Sequence, residues 1–213
     1  KDGTFIELGS GTGEILKRIS EKNKYRTIIG LEASSLMIEY SQRLLSQAGI
    51  KTKLLPLEEI ASHQPGIFIC QTDTLNTDFP EAIADTVLLA FPDPGFDYEE
   101  KTYDSILAKK LMKMYGNLSD KKFKDFFGTL RLQKNLADLL KRDGTAIVVN
   151  YEVSIGKDFI KEQKEFLKIT DLDLDRFTFY ENEELYNDTD DIKAKFIPNL
   201  KKGFMVLKIK KII

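Results

Sequence analysis

Glycines stand at alternate positions, Gly9, Gly11 and Gly13, between a short apolar run from Thr4 to Leu8 and a segment of helical period from Gly13 to Glu21. Ile15, Leu16 and Ile19 fall on one face of that helix. Glycines in a strand–loop–helix unit let the backbone come close to a ligand. The helix start adds N–H groups that have no partner within the helix. One class of ligand for such a unit is a dinucleotide, whose pyrophosphate faces the helix start under the spacing G-x-G-x-x-G. Under that spacing the third glycine would be residue 14, which here is Glu14, and a carboxylate there would repel a phosphate. A ligand that carries a cation instead of a phosphate suits the loop, and Glu7, on the strand that feeds it, suits the cationic end.

Two more acids follow at strand ends. Glu32 closes a second apolar run, Thr27 to Leu31, where a carboxylate can accept from both hydroxyls of a ribose; a nicotinamide dinucleotide would use it in the same way. Asp73 closes a third run, Ile67 to Thr72, where a carboxylate can accept from an adenine amino group. Taken in order, Glu7, the three glycines, Glu32 and Asp73 resemble the class I S-adenosylmethionine (SAM) dependent methyltransferase superfamily. The resemblance covers nearly the whole chain. It implies SAM as cofactor and S-adenosylhomocysteine as product, with Gly9, Gly11 and Gly13 along the methionine part, Glu32 on the ribose and Asp73 at the adenine. Ser10, Ala33, Thr74 and Phe91 complete the expected cofactor contacts.

The methyl acceptor is addressed by Phe91-Pro92-Asp93-Pro94-Gly95-Phe96, which follows a fourth strand, Thr86 to Phe91. Asp93 is the expected group to orient the nucleophile or take its proton, and Phe96 the ring to stack on it. Two resemblances compete. Enzymes that methylate adenine amino groups carry Asn/Asp-Pro-Pro-aromatic here, and this chain has glycine for the second proline. The tRNA guanine-N7 methyltransferases carry Phe-Pro-Asp-Pro, which Phe91 to Pro94 match in full. That resemblance implies substrate contacts from Pro92 and Pro94, and from a Thr-x-x-Glu element that Thr178 to Glu181 fit. The chain departs from it at Asp97-Tyr98-Glu99-Glu100, where the family is basic, and at Asn150, where it has an acid.

These residues need a frame that presents strand ends side by side. Strand-like runs alternate with helical ones, the pattern of a parallel sheet covered by helices. The expected fold is α/β: a Rossmann-like three-layer αβα sandwich with a mostly parallel seven-stranded sheet whose last strand is antiparallel. Residues 1–213 are expected to form a single domain, with an insertion or lid at 97–121 and an irregular insertion at 50–66. Ser34 or Ser35 should cap a helix that ends before Gly49. Lys122 to Lys141 should be an amphipathic helix, with Lys141 and Arg142 in its last turn and Gly144 just beyond. The fifth strand is expected at Thr145 to Tyr151, a helix near Lys157 to Leu167, and closing strands at Asp175 to Tyr180 and Phe204 to Ile212.

Composition narrows the partners little. Lys and Arg total 32 and Asp and Glu 34, a net charge of -2, so only local clusters could mark a nucleic-acid surface. One candidate is Lys109, Lys110, Lys113, Lys121, Lys122, Lys124, Arg131 and Lys134, interleaved with Tyr103, Tyr115, Phe123 and Phe126; a solvated helix face is the plainer reading. The single cysteine, Cys70, rules out an internal disulfide and suits a reducing, cytoplasmic setting. No apolar run approaches the roughly 20 residues a membrane helix needs. His63 is read as a surface residue, and no His/Cys/Asp spacing suggests a metal. The chain begins almost on its first motif, so an upstream segment is expected to be missing. The expected function is methyl transfer to a nitrogen acceptor, with a base of RNA, such as tRNA, as the preferred one; the alternatives are transfer to a small molecule and a non-catalytic module that binds SAM or a partner.

Overall fold

A computed structural model describes residues 3–22, 24–62, 65–75, 77–90, 120–155, 159–181 and 201–212. In chain order the elements are β1 (Thr4–Leu8), α1 (Glu14–Lys22), β2 (Thr27–Glu32), α2 (Ser35–Gln47), β3 (Lys53–Leu54), a 3-10 turn (Leu57–Glu59), β4 (Gly66–Gln71), β5 (Ala84–Ala90), α3 (Asp120–Leu139), β6 (Leu140–Ile155), α4 (Phe159–Lys168), β7 (Leu172–Glu181) and β8 (Lys201–Lys211). The strands form one sheet in the order β3-β4-β2-β1-β5-β6-β8-β7. Only β8 opposes its neighbours, pairing antiparallel with β6 and β7, while every other pairing is parallel. The last strand is therefore antiparallel, as expected. Among the described residues there are eight strands and not seven, because Lys53 and Leu54 add a two-residue edge beside Phe68 and Ile69.

Alternation within the central strands feeds two apolar layers. Ile6, Leu8, Ile29, Leu31, Val87, Leu89 and Val148 face a core closed by Leu132, Leu136 and Leu139 of α3 and Leu167 of α4. Phe5, Ile28, Ile69 and Leu88 face the other, closed by Leu16 of α1 and by Ile38 and Leu45 of α2. Helices thus flank both faces of the sheet, and the strand ends are left to carry chemistry. Ser34 is the N-cap of α2, its Oγ accepting from Met37 N at 3.3 Å, and the helix stops at Gln47, before Gly49.

The amphipathic helix ends two residues earlier than its sequence suggests. Leu140 already pairs with Ala84, and Thr145 is the next β6 residue in register, opposite Thr86, so residues 141–144 bulge against Asp85 alone. A side chain at Gly144 would come within 3.0 Å of the carbonyls of Ala84 and Lys141. Lys141 serves no helix terminus. Its Nζ donates to Asp85 Oδ2 at 2.8 Å, and the same oxygen accepts from Thr4 N at 2.7 Å. The bulge thereby clasps the starts of β1, β5 and β6. Among the described residues no helix is long and apolar enough to cross a membrane, and no group of three or more His, Cys, Asp or Glu could hold a metal ion.

Candidate functional site

The sheet order reverses at β1: β2 lies on one side of it and β5 on the other. At such a switch point the loops leaving neighbouring strands diverge and open a crevice at their carboxyl ends. The loop after β1 is the glycine loop. Gly9 N and Ser10 N both donate to Leu31 O, at 2.8 and 2.9 Å, which binds the loop to β2. Gly9, Gly11 and Gly13 all have positive φ, at 70°, 51° and 80°. Side-chain-bearing residues are strained there. At Gly13 space also forbids one, since an added Cβ would lie 2.1 Å from Ser41 Oγ of α2.

Glu32 holds the rim together. Its Oε2 accepts from Gly11 N at 2.8 Å and its Oε1 from Ser34 N at 2.9 Å, so one carboxylate joins the glycine loop to the start of α2. Both carboxylate oxygens are thus engaged by backbone N–H groups. Glu7 is a different kind of acid. It sits in register between Gly30 of β2 and Leu88 of β5, is buried, and its Oε2 has no partner. Burial, and secondarily the charge of Glu32, push its carboxyl up to about 8. The expected anion under the loop is thus mostly a neutral acid at pH 7.

Asp73 begins the turn after β4. Its Oδ1 accepts from Leu75 N at 2.9 Å. Thr72 N donates to Glu32 O at 2.9 Å, so this turn and the end of β2 meet. Ala33 joins them too, its carbonyl accepting from Gln71 Nε2 at 3.3 Å. Thr74 O accepts from Asn135 Nδ2 of α3. The structure therefore gathers Gly9, Ser10, Gly11, Gly13, Glu32, Ala33, Asp73 and Thr74 on the carboxyl ends of adjacent strands, with Glu7 beneath.

Phe91, Pro92, Asp93, Pro94 and Phe96 lie outside the described residues, directly after the end of β5. Thr178 and Glu181 lie on β7, opposite Val206 and Gly203 of β8, at the far edge of the sheet from β3. Asn150, compared above with an acid following the fifth strand, lies within β6 opposite Met205.

One expectation about charge is corrected. Arg131 belongs to no solvent-facing basic surface. It is buried, with Nε donating to Leu75 O at 3.0 Å, Nη2 to Thr77 O at 3.3 Å, and an ion pair to Asp78 that holds that carboxyl below its ordinary range. Lys134 pairs with Asp138 one turn along the same helix. The helical period of residues 120–139 could not say which polar positions would meet the turn after β4. Gly30 and Ser41 also escaped sequence reasoning. A side chain at Gly30 would come within 2.5 Å of Leu16 and 2.7 Å of Ser10 Oγ, and glycine inside a strand was the available signal for such an approach. A separate groove between α2, β3 and the start of β4, lined by Gln42, Ser46, Lys53, Ser62 and Phe68, takes in none of the expected cofactor residues.

This is the Rossmann-like methyltransferase fold. No family model matches the sequence, and no curated protein does. Solved structures do match in fold. A SAM-dependent methyltransferase from Methanosarcina mazei is 14% identical, with TM-score 0.59, over 100% of this chain and 93% of that one. The mitomycin 7-O-methyltransferase is 13% identical, with TM-score 0.52, over 98% of this chain and 48% of that one. The cyclase SpnF is 13% identical, with TM-score 0.57, over 100% of this chain and 76% of that one. None of these likenesses singles out the tRNA guanine-N7 enzymes.

Proposed function

We propose that this chain binds SAM at the crevice beside β1 and transfers its methyl group. The observation that carries this reading is Glu32, which bridges Gly11 N and Ser34 N at the switch point, with Asp73 on the next turn. The glycine loop would line the methionine part, Glu32 would accept from the ribose, and Asp73 would accept from the adenine amino group. SAM supplies an electrophilic methyl on a sulfonium, and the protein's work is alignment and electrostatic fit. Asp93 would orient the acceptor, with Phe96 stacked on it.

Of the two acceptors, we take a small molecule over an RNA base because Arg131 and Lys134, the two members of the basic cluster whose side chains are described, are engaged within the protein. The mitomycin enzyme has this fold with a small-molecule acceptor. SpnF has it as a cyclase, so methyl transfer itself needs a test.

Calorimetry with SAM and S-adenosylhomocysteine is expected to show one site for each, and absence of binding by both would overturn the reading. Tritiated SAM is expected to label small molecules of a metabolite extract, and label confined to bulk tRNA would reverse the choice of acceptor. Asp93→Ala should keep cofactor binding and lose transfer; loss of binding would place Asp93 in the cofactor site instead.

A further inference from the structure

The turn after β4 is held from below by two polar side chains on one face of α3. Asn135 is fully buried, and its Nδ2 donates to the carbonyl of Thr74. That carbonyl and Leu75 N–H belong to one peptide unit, which is planar and rigid. Leu75 N–H donates to Asp73 Oδ1 at 2.9 Å. Fixing one end of the plane therefore fixes the direction of the N–H at its other end, and with it the carboxylate. Arg131, four residues earlier, fixes the following units through Leu75 O and Thr77 O at 3.0 and 3.3 Å. Its side chain is 7% exposed, whereas that of its ion-pair partner Asp78 is 86% exposed, so the guanidinium enters the protein to reach backbone acceptors. Leu75 and Phe79 anchor the turn in the apolar layer, yet apolar contact alone does not orient a peptide plane. A part-buried carbonyl that loses its donor is left to seek another partner, which lets the turn choose another arrangement.

We infer that Asn135 and Arg131 are positioning residues for nucleobase recognition: Asn135 sets the peptide plane that aims Asp73 at the adenine amino group, and Arg131 holds the units that follow it. This inference rests on the cofactor reading above. It places a specificity determinant of the cofactor site on α3, whose Arg131 and Asn135 contact the turn.

The test compares S-adenosylhomocysteine with its inosine analogue, in which an oxo group replaces the adenine amino group. The wild-type chain is expected to prefer the adenine ligand by about tenfold or more, the worth of a hydrogen bond to a charged acceptor. In Asn135→Leu, which keeps side-chain volume but loses the donor, and in Arg131→Met, that ratio is expected to fall to within about threefold, because Asp73 is no longer aimed. A variant that is merely less stable weakens both ligands by the same factor, so the ratio is insensitive to partial unfolding. Arg131→Lys keeps the charge but not the fork of donors, and it carries the test if Arg131→Met does not fold. A wild-type ratio retained in folded Asn135→Leu and in the folded Arg131 variant would overturn the inference and leave the cofactor reading standing. Failure of the wild-type chain to bind either ligand would overturn both.

Discussion

Glu7 is a carboxyl group kept as an acid by its surroundings. It is 2% exposed, Oε2 has no partner, and Glu32 adds like charge, so its carboxyl rises from 4.5 to about 8. Below pH 4.5 the folded and unfolded chains both hold this proton, and the fold keeps its full stability. Between 4.5 and 8 the unfolded chain has released the proton and the folded chain retains it. Stability attributable to this group then falls with rising pH, by about 1.4 kcal/mol per unit, and above 8 the penalty is constant. Glu7→Gln keeps the shape and cannot ionise. Urea midpoints at pH 5.5 and 8.5 should fall with pH in the wild-type chain by clearly more than in Glu7→Gln, and the variant should be the more stable at pH 8.5. Equal pH slopes in the two proteins would show that Glu7 is not buried as an acid. The residue's place was legible from a strand end beside glycines. Its protonation was not, because that depends on Gly30, Leu88 and Glu32, which arrive from other strands.

At the scale of elements, the glycine loop is where α1 starts against α2. Gly11 and Gly13 share a positive φ, but nothing lies within 4 Å of a Cβ at Gly11, whereas Ser41 of α2 blocks one at Gly13. Gly11→Ala should therefore cost backbone strain alone, and Gly13→Ala strain plus displacement of α2. Strain of this kind is of order 1–3 kcal/mol. Thermal denaturation should show Gly13→Ala the less stable of the two. Calorimetry should show SAM binding weakened more by Gly13→Ala, since α2 also carries Ser34 against Glu32. Equal effects would mean that the contact between helices does not set the loop. The run of glycines was plain in the sequence, but the one that packing makes obligatory was not. The helical period of α3 was equally plain, while its end was displaced by a pairing between Leu140 and Ala84 that no local signal announces.

The whole molecule bears on the acceptor through its electrostatic field. Lys and Arg number 32 against 34 Asp and Glu, so the net charge of -2 supplies no long-range attraction for a polyanion, and only local clusters of cations could. Several cations are matched locally: Arg131 by Asp78, Lys134 by Asp138, Lys141 by Asp85, and Lys208 and Lys210 by Asp175. The last two hold the Asp175 carboxyl below its ordinary range on the edge formed by β7 and β8. An acceptor gripped through its phosphates would need such cations free, because its affinity comes from the counterions they displace. Six to ten phosphate contacts would cost about 10³–10⁵-fold in affinity between roughly 50 and 200 mM salt. A small acceptor displaces few counterions. Transfer to the labelled small molecules should accordingly change kcat/KM by less than about twofold over that range, where screening acts mainly on exposed charge. Transfer to RNA that falls by orders of magnitude over the same range would show instead a phosphate-binding surface strong enough to outweigh these pairs.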